Sequence, residues 1–250
     1  MTHEHNTLWR EKYKAMFWKK ARAKYGHLTA EDEDIKRYLE ISSTFQQDSY
    51  EGIVGYIQDA GHRWIARHTA TGPTLEIGFG SGRHGLFFRG KLEEYYVSEY
   101  SIRHLQADIW KNFRGRGTVC DARALPYQND AFQTVISIYN LEHIVNLDRV
   151  FHEAHRVLKP KGYFLIALPC EGGLLWNIGR ELTTRRNFQK QYGLNYDKII
   201  AYEHIWDLTS VITALQKTGL FQVYKQQMYP FYLPFHHINL IACLDCRVIK

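Results

Sequence analysis

One stretch of this sequence combines residue types with obvious chemistry: Leu75-Glu76-Ile77-Gly78-Phe79-Gly80-Ser81-Gly82-Arg83-His84-Gly85. A short apolar run enters alternating glycines, as a loop must when it turns tightly and lets a ligand lie against bare backbone. At the carboxyl end of a first parallel strand, such a loop stands where α/β sheets bind nucleotides. Spacing discriminates among ligands. A phosphate loop ends in Gly-Lys-Ser/Thr, whereas this one reads Gly82-Arg83-His84. The dinucleotide pattern Gly-x-Gly-x-x-Gly can be laid on Gly80, Gly82 and Gly85, but it places no acid inside the preceding strand, where Glu76 stands. A carboxylate there repels a pyrophosphate and suits a cationic ligand. Glu99 closes a second apolar run, about where a carboxylate takes both ribose hydroxyls, and Asp121 follows a third, where it can hold an adenine edge.

These residues need a scaffold, and the pattern around them supplies one. Apolar runs at 74–77, 95–98, 117–120, 131–139 and 162–168 read as strands, with helical stretches at 82–91, 102–112 and 146–158. Alternation of this kind implies crossover connections, hence an α/β, Rossmann-like, doubly wound and mostly parallel sheet. The run 132–138 is apolar almost throughout, as a central strand covered on both faces should be. After Pro169 comes a polar and aromatic stretch, 170–203, with no strand signal. A helix at 206–218, ended by Gly219, is followed by strands at 221–229 and 238–248, these last two close enough in sequence to pair antiparallel at the sheet edge. Before the break at Gly72-Pro73, helices are expected at 8–24, 32–42 and 50–67. The second opens on Glu31-Asp32-Glu33-Asp34, acids suited to the positive end of a helix. The division expected is a helical extension over 1–72 and an α/β domain over 73–250.

With its spacing, this constellation resembles the class I S-adenosylmethionine-dependent methyltransferases, over about residues 72–169. The resemblance rests on five ordered matches. They are Glu76-Ile77-Gly78-Phe79-Gly80-Ser81-Gly82, Val97-Ser98-Glu99-Tyr100-Ser101, Cys120-Asp121-Ala122-Arg123-Ala124-Leu125-Pro126-Tyr127, Tyr139-Asn140-Leu141-Glu142-His143-Ile144 and Arg156-Val157-Leu158-Lys159-Pro160-Lys161-Gly162-Tyr163. It implies S-adenosylmethionine as cofactor. Glu76, Gly78, Gly80 and Gly82 would lie against its methionine half, Glu99 would bind the ribose, and Asp121 with Ala122 would flank the adenine. Asn140 would complete the set. Glutamate at 99, where aspartate is also common, still reaches a ribose. The ligand carries a sulfonium and an ammonium but no phosphate, so acids in place of a lysine are what it requires.

Methyl transfer from a sulfonium needs donor and acceptor held in line, and a hydroxyl acceptor benefits from a base. Histidine suits that task near neutral pH. His143, after the fourth strand, and His204, before the helix at 206, are the two candidates for catalysis, and His236-His237 form a third option. Residues 170–203 are the expected acceptor lid. Trp176, Arg180, Arg185, Arg186, Tyr192 and Tyr196 there mix apolar faces with cations, a mixture fit for a sugar, a phosphate-bearing lipid carrier or an anionic metabolite. The acceptor is therefore read as a small molecule, sugar or lipid-linked saccharide, methylated on oxygen in preference to nitrogen. The alternative is an RNA or protein methyltransferase docking through a basic amino-terminal arm.

Several features argue against nucleic-acid chemistry. Asn140-Leu141-Glu142-His143 stands where amino-methylating nucleic-acid enzymes of this fold show Asn/Asp-Pro-Pro-Tyr/Phe. Cys170 follows Pro169, but the companion proline-cysteine pair after the fourth strand is absent. Cys243-x-x-Cys246 has the spacing of half a zinc site, yet residues three apart in a strand face opposite sides, and no metal is expected.

Charge supports the same reading. The 250 residues carry a net +6, but seven Lys/Arg against two acids put +5 of it within residues 1–30 and leave +1 for the other 220. A protein that coats nucleic acid with its whole surface is thus disfavoured; a locally basic arm is not. In that arm Trp9, Tyr13, Met16 and Phe17 share one helical face, with Arg10, Lys20 and Lys24 near the same stripe. It can fold over the cleft, touch a membrane surface or anionic substrate, or meet nucleic acid. At 45% hydrophobic and 23% charged the composition is that of a globular protein, which excludes disorder and collagen. No apolar run reaches the ~20 residues of a membrane span, and the start of the sequence is polar, unlike a signal peptide. With four cysteines in the chain, a reducing, cytoplasmic setting is expected. Oligomeric state is left open.

Overall fold

The structure, a computed structural model, describes residues 18–48, 52–101 and 116–250. The expected start of the basic arm (Trp9, Tyr13, Met16 and Phe17 included) and the helix at 102–112 lie outside the described residues.

Three helices precede the sheet: α1 (Trp18–Tyr25), α2 (Glu33–Asp48) and α3 (Gly52–His68). There follow β1 (Thr74–Ile77), β2 (Tyr95–Glu99), β3 (Gly117–Val119), β4 (Phe132–Ile138), α4 (Leu147–Val157) and β5 (Leu158–Pro169). The remainder is α5 (Leu174–Leu182), α6 (Thr184–Tyr192), α7 (Tyr196–Glu203), α8 (Leu208–Thr218), β6 (Phe221–Tyr229) and β7 (Ile241–Val248). The seven strands run in the order β3-β2-β1-β4-β5-β7-β6, a Rossmann-like doubly wound sheet. Strands β1 to β5 pair parallel, and β7 runs antiparallel to both β5 and β6. The order reverses between β1 and β4, which opens a crevice at their carboxyl ends. Register makes that crevice level: Ile77 lies opposite Ser98 of β2 and Ser137 of β4, so the residues that follow all three strands emerge side by side.

Alternation along the strands feeds two core layers. Leu75, Val135, Phe164 and Cys246 face α4 and α8, whereas Ile136, Leu165 and Cys243 face Trp64 and Ile65 of α3. The two cysteines of Cys243-x-x-Cys246 thus fall on opposite faces of the sheet. Helix α4 turns Leu147, Val150, Phe151, Ala154 and Val157 inward, a stripe at helical spacing. Helix α8 starts where the Asp207 side chain accepts the Ser210 N–H at 2.7 Å and stops at Gly219, left-handed at φ 66°.

A third core has no strand in it. Ala21 of α1 with Ile35 and Tyr38 of α2 pack on Phe188 of α6 and on Tyr196 and Ile199 of α7. Polar ties reinforce it: Arg22 Nη1 donates to the Ala201 carbonyl at 2.6 Å, and Lys198 Nζ meets Asp32 at 3.0 Å and Asp34 at 2.9 Å. Helices α1 and α2 thereby form one cap with α6 and α7.

Three local expectations are corrected. Residues 82–91 make a single 3-10 turn, Arg83–Leu86, instead of a helix. Gly85 and Gly90 each weaken a helix by about 1 kcal/mol, and Gly82 is left-handed at φ 75°. The stretch 170–203, expected as irregular, is three helices, because its aromatic residues bury on α1 and α2 instead of on the sheet. The final strand starts at Ile241, not 238, since Asn239 spends its side chain on the preceding loop.

Phe188 is 1% exposed and sits 5.4 Å, ring to ring, from Tyr196. Replacing it by alanine should destabilise the cap by about 3–5 kcal/mol. Deuterium exchange should then accelerate in α1, α2 and α7 while β4 and β5 remain protected; equal acceleration everywhere would show that the cap is not a separate layer.

Candidate active site

A cavity of about 1230 Å³ lies at the carboxyl ends of β1, β2 and β4, closed on its far side by α5, α6 and α7. Its near wall is the glycine loop. The N–H groups of Gly78 and Phe79 both donate to the Ser98 carbonyl at 3.0 Å, which turns the chain over β2. Gly78 (φ 75°) packs so closely on Asn140 that a Cβ would overlap it, and Asn140 Nδ2 in turn donates to the Ile77 carbonyl at 3.3 Å. Gly80 differs. Its φ is 53°, and nothing lies within 4 Å of where its Cβ would stand, so the loop presents bare backbone to open space. Glu99 braces this cradle, accepting the Gly80 N–H at 2.9 Å and the Ser101 N–H at 3.1 Å.

The acids around the cradle are held in different states. Glu76 is buried, and its carboxyl receives the Tyr95 hydroxyl. Burial pushes its pKa up to about 8, the Tyr95 donor resisting and the Glu99 charge adding to the rise. Asp121 instead receives Arg123 at 2.6 Å, and that guanidinium holds its carboxyl below the usual range. Ala122 beside it is buried against the same cavity. Beneath the loop His62 of α3 stacks on His84, with Nδ1 atoms 3.4 Å apart, and burial keeps His62 neutral with its pKa pushed down to about 3. Arg83 clamps Asp59 of α3 through two bonds of 2.9 and 2.8 Å.

The opposite wall is built on Glu171, two residues past β5 and 1% exposed. Its carboxylate accepts Arg180 Nη1 at 2.7 Å, Arg180 Nη2, Trp176 Nε1 at 3.1 Å and His204 Nδ1 at 2.8 Å. Burial alone would raise its pKa; Arg180 and His204 overcome that and hold it well below the carboxylate range. His204 is pushed down to about 4 by burial, against the pull of Glu171. His143 meets it edge-on, ring centroids 4.8 Å apart, and its Nδ1 donates to the Glu203 carbonyl at 2.8 Å. Burial works against charge on His143, but the carboxyls of Glu142 and Glu203 raise its pKa overall. Glu142 is itself buried, with Oε2 lacking a hydrogen-bond partner and its pKa pushed up to about 7 by burial.

The cavity thus brings together Glu76, Gly78, Gly80, Glu99, Asp121, Ala122, Asn140, His143 and His204, while Gly82 turns the loop just behind them. It does not include His236 or His237, which stack on each other over the start of α5, where the His237 carbonyl accepts the Leu175 N–H at 2.8 Å. Among the expected lid residues Trp176, Arg180 and Tyr196 line it, whereas Arg185 is spent on Glu181 and Asp197. Cys170 is fully buried with its thiol pushed up, the reverse of an activated nucleophile. The residue that sequence reading passed over is Glu171. An acid just beyond a parallel strand was the sign used for Glu99 and Asp121, and it applies equally here.

A strand order of 3-2-1-4-5-7-6, with acids beside a glycine cradle and no lysine in that loop, defines a Rossmann-like doubly wound fold with an acid-lined crevice. Residues 75–166 match a family described as the methyltransferase domain. Over 103 residues the chain is 30% identical to malonyl-[acyl-carrier protein] O-methyltransferase of Geobacter sulfurreducens, 39% of each chain. Over 46 residues it is 41% identical to sterol 4-C-methyltransferase of Caenorhabditis elegans, covering 18% of this chain and 14% of that one. The chain therefore spans well under half the length of these relatives. Its fold is shared with a methyltransferase of Thermotoga maritima described as a possible histamine N-methyltransferase, at TM-score 0.57 and 16% identity, over 86% of this chain and 99% of that one. The matched stretch, residues 75–166, holds the glycine cradle and its acids and resembles methyltransferase domains, and the fold around it is one that an S-adenosylmethionine-dependent methyltransferase shares.

Because the folded pKa of Glu76 stands above the ordinary value of 4.5, at about 8, the stability it contributes is present below its unfolded pKa and is lost as pH rises through about 8. Glu76→Gln keeps an acceptor for Tyr95 and removes that loss. Its melting temperature should exceed the wild type's by ~5 °C at pH 8 and match it at pH 4. Equal melting temperatures at both pH values would mean that Glu76 is ionised in the fold.

Proposed function

We propose that the chain transfers a methyl group to a hydroxyl of an uncharged, sugar-like small molecule, with His204 as the general base and Glu171 positioning it. The observation that carries this is the buried chain Arg180–Glu171–His204, which faces the glycine cradle across one cavity. S-adenosylmethionine, when bound, supplies an electrophilic methyl group. The open backbone at Gly80, the braced Glu99 and the absence of a lysine from the loop fit that ligand. Gly78, Gly80 and Gly82 would receive its methionine half, with the carboxyl of Glu76 beside them as a polar neighbour. Glu99 would take the ribose, Asp121 and Ala122 the adenine, and Asn140 would hold the loop beneath it.

Two histidines in contact are driven apart electrostatically, which separates their roles. His204 is neutral at physiological pH, and donation of its Nδ1–H to Glu171 makes Nε2 the basic nitrogen. It can therefore take a hydroxyl proton at Nε2 without first losing one. Glu171, kept ionised by Arg180, then faces the imidazolium. His143 is biased toward the cation by Glu142 and Glu203, so it is the stronger base of the two but is less often free of its proton.

The charge pattern supports a neutral acceptor. Each arginine at the cavity has a carboxylate: Arg180 has Glu171, Arg83 has Asp59, and Arg123 has Asp121. The remaining polar groups of the cap wall include Thr183, Thr184, Asn187 and Gln191, beside the aromatic faces of Tyr38 and Trp176. Hydroxyls and amides among aromatic rings suit a polyhydroxylated molecule; a phosphate or carboxylate would find its cations already paired.

Two measurements bear on this reading. In calorimetry S-adenosylmethionine should bind, and Glu99→Ala should weaken it at least about tenfold; unchanged affinity would remove Glu99 from the site. With a fractionated host glycan and metabolite extract as acceptor source, S-adenosylhomocysteine release should fall at least about 100-fold in His204→Ala and less than about tenfold in His143→Ala. Losses below tenfold in both would leave proximity alone as the source of rate.

A further inference from the structure

The connection between β6 and β7 carries apolar side chains outward. Phe231, Tyr232, Leu233, Phe235 and Ile238 are all exposed, Tyr232 at 65% and Phe235 at 61%. This is not a loose loop. The fully buried Asn239 staples it from beneath, its Oδ1 accepting the Phe231 N–H at 2.9 Å and its Nδ2 donating to the Leu233 and Phe235 carbonyls at 2.8 and 3.0 Å. A buried side chain thus fixes a backbone whose own apolar residues meet water.

The patch continues onto α5. The loop holds the start of that helix through the His237 carbonyl and Leu175 N–H, and α5 turns Leu174, Ile178 and Leu182 outward. At i, i+4 and i+8 these three share one face, about 150° around the helix from Trp176 and Thr183, which line the cavity. An exposed apolar surface of this extent marks an interaction site.

Charge identifies the occupant. From Gln226 to Leu244 the sequence has no Lys, Arg, Asp or Glu. Immediately after Leu182, on the next helix, Arg186 and Lys190 are both exposed and one turn apart, with no ion pair to an acid among the described residues. Aromatic and aliphatic tips beside uncompensated cations are the combination that enters the headgroup boundary of an anionic bilayer, rings at the interface and cations on the phosphates. Among the described residues no helix is long and apolar enough to cross a membrane, so such contact would lie at one face. We propose that the 231–238 loop and the outer face of α5 form a docking surface for an anionic lipid bilayer. The same helix would then stand with one side on the bilayer and the other on the cavity. This inference does not depend on the methyl-transfer reading.

The test is co-flotation of the full chain with vesicles of phosphatidylcholine plus phosphatidylglycerol, and with phosphatidylcholine alone. Wild type should partition onto the anionic vesicles. Phe231→Ser/Phe235→Ser should reduce partitioning at least about tenfold, and Ile178→Ser should reduce it independently, with unchanged melting temperature and S-adenosylmethionine affinity. Arg186→Gln/Lys190→Gln should lower binding to anionic vesicles only. The proposal is overturned if wild type floats with neither vesicle. It is equally overturned if the loop variants float like wild type while Arg10→Gln/Lys12→Gln/Lys14→Gln does not. A dimer in light scattering that the loop variants convert to monomer, without vesicle binding, would assign the patch to a second copy of the chain.

Discussion

A carboxylate withdrawn from water must be met by cations and donors, or it is lost to the fold. Glu171 is where this chain accepts that constraint. Leaving such a charge without its partner costs about 3–5 kcal/mol, so every element that supplies one is held to a geometry. Arg180 and Trp176 come from α5, and His204 from the residue that caps α7. The direction in which α5 leaves the sheet and the point at which α7 stops are both set by this one group. Cap and cavity wall follow from them. Without the carboxylate, a histidine with its pKa at about 4 would have no reason to hold one tautomer.

Three buried carboxyls line the cavity and a fourth, Glu171, lies behind the residues of its wall, and their surroundings give each a different state. Glu76 is neutral near a hydroxyl, Glu99 is braced by backbone N–H groups, Glu142 is half-satisfied with a pKa of about 7, and Glu171 is ionised by a guanidinium. Little net charge results from many titratable groups. The positive excess of the sequence lies at its amino-terminal end, away from this balance.

The sheet was legible because strand residues declare themselves locally. Apolar runs and the glycine turn located β1, β2, β4 and β6 almost to the residue, and opposite-facing cysteines at 243 and 246 followed from period-two geometry alone. The positions of the candidate residues on that sheet were legible for the same reason: Glu99 and Asn140 sit at strand ends, and strand ends are visible. The cap was not. Tyr38, Phe188 and Tyr196 bury on one another across some 150 residues of sequence, so none of the helices involved shows a stripe facing a sheet. Glu171 escaped attention for a related cause, since its partners Arg180 and His204 become neighbours only once α5 to α7 have folded. At 82–91 the helical reading failed because apolar spacing was weighed above two interior glycines.

The position of β7 bears on how the protein is made. It is the last strand in sequence, yet it lies between β5 and β6. Until residues 241–248 have been synthesised, β5 presents an unpaired edge from Tyr163 to Pro169, and Phe164 and Leu168 lack part of their cover. Such an edge is a template for any other strand, including one from a neighbouring nascent chain. Strand β6 cannot protect it, because among the described residues it pairs with β7 alone. The half-built molecule is therefore most vulnerable to mispairing in the interval before residues 241–248 are available, and crowding of nascent chains would be felt there first.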